Sequence, residues 1–326
     1  MTEKRPGTLV ISLDFELYWG MIDKVTLEEY GDNILGVRKA IPAMLALFKR
    51  YEIHATWATV GMLAFTNRND LEAALPAHEP PYQDTALSPY EHLRAGKVGE
   101  NEQSDQYHFG ASLLDNIKAV PHQEIGSHTF SHLYGLDMEE DAEAFRADME
   151  VAKRALSPWQ TPSSLVFPRN QETSQYLGIA QAAGITAYRG NENHYFYRPR
   201  KEHEQTLLVK VLRRLDNYVN ISGHHTYTAL SPEQGPVNVP ASRFLRPWSR
   251  ALRWFEPLSR RRIMRAMSVA AQRGEVFHLW WHPHNFGTNL EENLATLIFI
   301  LDHYKFLRET YGFESKTMGE VAETVL

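Results

Sequence analysis

Two histidines four residues apart, in Gly126-Ser127-His128-Thr129-Phe130-Ser131-His132, lie far downstream of two acids, Asp14 and Glu16, that flank a single phenylalanine. Residues four apart on a helix share one face, so the two imidazoles can converge on one ion while a carboxylate from a strand end completes a three-donor set. Such a set leaves a coordination position open. A divalent ion bound that way acidifies a water toward neutral pH and supports hydrolysis rather than a purely structural role. The chain has no cysteine, so any metal site has to be built from histidine and carboxylate.

Apolar strand-like runs alternate with helical spacing, which predicts a parallel sheet with crossover helices. Strands are expected at Leu9–Leu13, His54–Val60, Glu124–Ser127, Ser164–Phe167, Ile185–Tyr188 and Val276–Trp281. Helices are expected over Ile34–Tyr51, Asp137–Leu156, Thr173–Ala183 and Glu291–Tyr311. The order implies an α/β fold, a barrel or a related layered sheet, with residues 1–326 as one domain. Chemistry in such barrels collects at the C-terminal ends of the strands. Asp14, Glu16, His128, Arg169, Arg189 and His282 all fall at or just after such ends.

A net charge of −6 excludes a general nucleic-acid binder, which needs a broad basic surface. No apolar run approaches the roughly 18 residues that cross a bilayer. The opening Met1-Thr2-Glu3-Lys4-Arg5-Pro6-Gly7 lacks the apolar core of a secretory signal, and a cytoplasmic protein is expected. Two segments break the rhythm. Residues 66–112 are Pro-rich and polar, and are expected to form an excursion over the rim that shapes substrate access, with a plain surface insertion as the alternative. Residues 240–273 interleave Arg243, Arg246, Arg250, Arg253 and Arg260 with Phe244, Trp248 and Trp254. That pattern suits phosphate or pyrophosphate, or an anionic membrane surface; the alternative is a solvated helical face whose arginines pair with the protein's own acids.

Four ordered motifs stand out: Ser12-Leu13-Asp14-Phe15-Glu16, Gly126 to His132, Phe167-Pro168-Arg169-Asn170-Gln171, and Leu279-Trp280-Trp281-His282-Pro283-His284. In these the sequence resembles the polysaccharide deacetylase, or NodB-homology, family of metal-dependent carbohydrate esterases, over most of its length. The resemblance implies a distorted (β/α) barrel of the polysaccharide deacetylase type and a divalent metal, zinc first, with nickel, cobalt, manganese or iron also compatible with these ligands. The first motif departs from the family's adjacent Asp-Asp. Residues i and i+2 of an extended strand point the same way, so Asp14 and Glu16 can share a site. The resemblance then implies Glu16 as a metal ligand with His128 and His132 and Asp14 as general base, with exchanged roles as the alternative.

The resemblance further implies that Arg169 holds the base carboxylate and that His282 is the general acid, with His284 as the rival for that role. The Arg169 loop differs from the family's Arg-x-Pro-Tyr, and the Asn170 N–H is the candidate oxyanion contact. Trp19, Arg189 and His284 are expected to bind substrate; Trp280 and Trp281 either stack on sugar or pack in the core. The expected activity is removal of an N-acetyl or N-formyl group from an amino sugar in surface polysaccharide or lipid-linked glycan biosynthesis, with no organic cofactor. An N-acylated sugar or glycan, phosphate-linked or not, is the expected partner, with peripheral contact to the inner membrane surface as an option and no nucleic acid. The rivals are hydrolysis of a non-sugar amide and non-catalytic binding of N-acetyl sugars.

Overall fold

β1 (Thr8–Phe15) is buried along its whole length and carries an almost unbroken apolar run, as a parallel strand covered on both faces must. The computed structural model describes residues 5–136, 141–198, 206–228 and 235–325. Helix α1 (Leu27–Tyr51) starts at Thr26, whose hydroxyl forms a capping box with Glu29, and leads to β2 (Ala55–Thr59). After α2 (Arg68–Ala73), α3 (Pro89–Arg94) and α4 (Ala111–Lys118) come β3 (Gln123–Ser127), α5 (Ala142–Leu156), β4 (Ser164–Val166), α6 (Ser174–Ala182) and β5 (Ala187–Arg189). The second half holds α7 (Leu207–Asp216), β6 (Val237–Asn238), β7 (Arg243–Phe244), α8 (Glu256–Arg273), β8 (Val276–Trp281), α9 (Leu290–Tyr311), β9 (Glu314–Lys316) and α10 (Met318–Glu323).

The strands run in the order β6-β5-β4-β3-β2-β1-β8-β7, with β9 added beside β1, and every pairing is parallel. Residues 237–245 then travel from one edge of this sheet to the other. The Val239 and Ala241 amides donate to Tyr188 and Gly190 beside β5, whereas the Ser242 and Leu245 amides donate to His278 and Trp280 of β8. That traverse closes the curled sheet into a distorted (β/α) barrel, and the parallel sense brings all C-terminal strand ends to one rim. Outside the sheet, α1 buries Ile34, Ile41, Met44 and Phe48 on one stripe. Each such side chain contributes about 1.5–3 kcal/mol through the water-exposed area it removes.

Among the expected helices, the 137–140 start of the second falls outside the described residues, and its remainder begins at Ala142. Segment 66–112 is bound into the body of the protein rather than lying loose on it. Its Tyr90, Leu93 and Phe109 join the main core, and the Tyr18 amide donates to the Tyr107 carbonyl at 3.0 Å. The segment therefore braces the turn that follows Glu16. Among the described residues no helix is long and apolar enough to cross a membrane.

Candidate functional site

Glu16, at the exit of β1, stands between two pairs of imidazoles. Its Oε2 lies 3.1 Å from His132 Nε2 and 3.6 Å from His128 Nε2, and its Oε1 lies 3.2 Å from His284 Nε2 and 3.7 Å from His282 Nε2. Burial alone would raise the Glu16 pKa, but the facing imidazoles, His282 first and then His128, His132 and His284, outweigh it and hold the carboxyl well below its usual range. His128 Nδ1 faces the Val166 carbonyl at 2.8 Å. A carbonyl only accepts, so Nδ1 carries the proton, and in the neutral ring Nε2 keeps the lone pair that a metal ion beside Glu16 would need. Burial keeps His132 below its ordinary pKa, which favours the neutral ring a metal ligand needs. Glu16, His128 and His132 thus fit a divalent ion with N and O donors, and Glu16, His282 and His284 form a second group of comparable closeness.

The histidine pair is not helical, contrary to the i, i+4 reading. Thr129 and His132 both have left-handed backbone, with φ of 62° and 56°, so the chain kinks between the rings. For a β-branched threonine this conformation is costly, and the surroundings must enforce it. Buried Asp148 on α5 does so. It accepts from the Phe130 amide at 2.6 Å, the Ser131 amide at 3.1 Å and the Ser131 hydroxyl. Burial pushes its pKa up to about 6 despite those donors. On the other side, a Cβ at Gly20 would sit 2.2 Å from the Glu16 carboxyl carbon, so only glycine leaves room for this carboxylate.

Asp14 is clamped by Arg189, not by Arg169. Two guanidinium nitrogens of Arg189 each lie 2.7 Å from one Asp14 oxygen, and the same group donates to Ser12 Oγ at 3.0 Å and Asn170 Oδ1 at 2.9 Å. Burial would raise the Asp14 pKa, yet the Arg189 charge and the nearby His128 bring it below the usual value. Arg189 is 1% exposed and lies over the Trp280 ring at 4.2 Å, so the expected substrate contact is replaced by a structural clamp. Arg169 instead pairs with Asp23 and stacks over Tyr134 at 3.8 Å. The Asn170 N–H donates to the Phe167 carbonyl at 2.9 Å and is not available as the oxyanion donor expected from the sequence.

His282 is the member of this cluster that meets solvent, with 23% of its side chain exposed, and its Nε2 lies 3.8 Å from Asp14 Oδ2. Burial lowers its pKa, and the two carboxylates partly restore it. It closes one end of a cavity of about 640 Å³ whose other walls include Trp280, Phe244, Asn170, Arg246 and Arg214. Trp280 therefore lines the cavity, whereas Trp281 is fully buried. The expectation for Trp19 is overturned. It is 1% exposed, and its indole N–H is spent on the His108 carbonyl at 2.8 Å, so it packs rather than stacks on substrate. His284 is likewise buried, its Nδ1 2.9 Å from the Tyr30 hydroxyl, and it faces Glu16 rather than the cavity.

Of the ten residues singled out in the sequence, Asp14, Glu16, His128, His132, Arg189, His282 and His284 form one connected cluster, with Asn170 at its margin. Arg169 pairs with Asp23 yet lines the cavity beside His282, and Trp19 stands apart. Sequence reading missed Gly20, Asp23, Tyr30, Tyr134 and Asp148. For Asp148 a signal existed: it is an acid on the face of α5 otherwise made of Ala144, Phe145, Met149 and Ala152.

Residues 30–188 match the family model for polysaccharide deacetylases. No curated protein matches the chain. Among solved structures, a putative polysaccharide deacetylase from Mycobacterium smegmatis is similar over 100% of this chain and 92% of its own, at 12% identity and a TM-score of 0.58. A probable polysaccharide deacetylase from Pseudomonas aeruginosa PAO1 is similar over 97% and 89%, at 12% identity and a TM-score of 0.52. Puue allantoinase is similar over 99% and 91%, at 12% identity and a TM-score of 0.55. At these identities the structural likeness is one of fold, the distorted barrel of the deacetylase type, and the resemblance read from the motifs stands.

Proposed function

With its resemblance to the polysaccharide deacetylases as premise, we propose that this chain is a metal-dependent hydrolase that removes an N-acyl group, acetyl or formyl, from an amino sugar. The observation that carries this reading is the convergence at one rim of a Glu16–histidine donor set, an arginine-clamped Asp14 and a partly exposed His282 at the end of a cavity.

Glu16, His128 and His132 would hold the ion, zinc by preference, with His284 as a candidate further ligand. When bound, the ion supplies polarisation of the acyl carbonyl and acidification of water. Asp14, kept ionised by Arg189, accepts a proton from the attacking water, whose oxygen adds to the acyl carbon. As the C–N bond breaks, His282 passes a proton to the departing nitrogen; the products are a carboxylic acid and an amine. The proton that His282 delivers is the one Asp14 took from the water, handed over between Asp14 Oδ2 and His282 Nε2, which lie 3.8 Å apart. Trp280 and Phe244 line the cavity beside it and offer a flat apolar wall for a sugar ring.

The cavity's cationic side supports a phosphate-linked substrate in lipid-linked glycan or surface polysaccharide assembly. Arg243 lines the cavity but is buried and its charge is paired with Asp216, and Arg250 lies off the cavity. Arg246 and Arg214 do line it. The test measures carboxylate release from N-acetyl and N-formyl amino sugars, free and phosphate-linked, beside non-sugar amides, with metal-loaded protein. Release from the sugars that is abolished in Asp14→Asn supports the reading; release only from non-sugar amides, or none after loading with each candidate metal, overturns it.

A further inference from the structure

Twelve large hydrophobic side chains are exposed among the described residues, and eight of them lie between residues 207 and 258. Leu207, Val211 and Leu215 stand four apart, forming one stripe along α7, with Leu207 78% exposed. Val219 and Ile221 extend it past the helix end. The turn before α8 adds Trp254, also 78% exposed, and Phe255, and the first turn of α8 adds Leu258. Tyr218 and Phe255 are in ring contact at 5.6 Å, and Val219 and Leu258 line a common groove, so the two groups form one continuous face. An exposed apolar area of this extent marks an interaction surface.

The charge on this face is opposite to that of the whole protein. Residues 206–265 carry eleven Lys and Arg against three acids, in a chain that holds six more acids than bases. Arg214, Arg250, Arg253, Arg261 and Arg265 are exposed, and the Arg253 guanidinium lies 5.1 Å from the centre of the Trp254 ring. Apolar side chains ringed by arginine match an anionic bilayer, where the former enter the acyl boundary and the latter meet phosphate. We infer that this face docks the protein on an anionic phospholipid surface.

Leu207, Val211, Arg214 and Arg246 also border the cavity that ends at His282. Docking through this face sets the cavity mouth against the headgroups, where a sugar joined through phosphate to a membrane-held lipid could enter while its tail stays in the bilayer. This last consequence rests on the hydrolase reading; the docking does not.

The test is co-sedimentation of the full chain with phosphatidylcholine vesicles, with and without phosphatidylglycerol. Binding is expected only to the anionic vesicles, weakening as salt rises. Two double variants, Trp254→Ser/Leu215→Gln and Arg250→Glu/Arg253→Glu, should each lower the bound fraction about tenfold or more. Both lie away from the cavity and should leave hydrolysis of a soluble N-acylated sugar phosphate unchanged. Absence of binding to anionic vesicles, or binding that both variants retain, overturns the inference. So does a concentration-dependent dimer, dissolved by Trp254→Ser without any vesicle binding, which would assign the face to a second copy of the chain. Vesicle binding without hydrolysis of any N-acylated sugar would retain the docking and remove the hydrolase reading.

Discussion

Arg189 grips Asp14 through both carboxylate oxygens, each 2.7 Å from a guanidinium nitrogen, in a pair sealed from solvent. Removing one partner strands the other charge, so Arg189→Gln should destabilise the fold by about 3–5 kcal/mol in urea unfolding. It should also raise the Asp14 pKa, because the charge that lowers it is gone. A base must be ionised to work, so the acidic limb of kcat/KM should move to higher pH in the variant. A limb that stays where it was would mean that Asp14 is not the base. Arg189→Lys cannot fork across both oxygens and should recover little.

The two faces of Glu16 make separable predictions about metal. His128→Ala and His132→Ala should each lose bound metal in elemental analysis, by about 10–100-fold in affinity or more, with the circular dichroism spectrum retained. His284→Ala decides between a ligand and a support for Glu16. Loss of metal comparable to His132→Ala makes it a ligand, while retained metal with reduced turnover makes it a support.

Gly20→Ala places a methyl where the Glu16 carboxyl group now lies. The variant should lose about 1–3 kcal/mol of stability through overpacking. It should also bind metal weakly although no ligand has been changed. A crystal structure with Glu16 undisturbed would refute this reading of the site.

Asp148 predicts a pH dependence of stability whose sign follows from its raised pKa. Between about pH 4 and pH 6 the folded protein holds a proton on Asp148 that the unfolded chain has released, so this group's contribution falls as pH rises through that window. A shift of about two units is worth about 3 kcal/mol. Relative to Asp148→Asn, the wild type should lose about that much between pH 4 and pH 7 in parallel urea titrations. A constant difference would show that Asp148 does not titrate in this range.

The sheet was largely legible because a parallel strand buried on both faces leaves an apolar run that no helix of similar length mimics; Val276–Trp281 was read to the residue. β6 and β7, two residues each, carry no such run, and their role in closing the barrel depends on backbone bonds to distant strands. The convergence of Glu16, His128 and His132 was legible because imidazoles and carboxylates at strand ends have few other reasons to be there. Which arginine meets Asp14 was not, since Arg169 and Arg189 both follow strands and only tertiary geometry separates them. Trp19 misled for a related reason: its position beside Glu16 in sequence says nothing of the His108 carbonyl that claims its N–H. The helical reading of the histidine pair failed because spacing of four is also reached by a chain that kinks twice.

Nine non-glycine residues among those described hold left-handed backbone, and five of them, Leu17, Thr129, His132, Arg169 and Asn170, sit on the turns that deliver this rim. Each departs from a comfortable conformation at a cost of about 1–3 kcal/mol. A screen for thermal resilience will therefore tend to enrich glycine or asparagine at Thr129 and Arg169, which relieve the strain but also loosen the turns that hold this rim. Heat tolerance and ion affinity should trade against each other along these few turns, while the barrel wall stays free to improve in one without loss of the other.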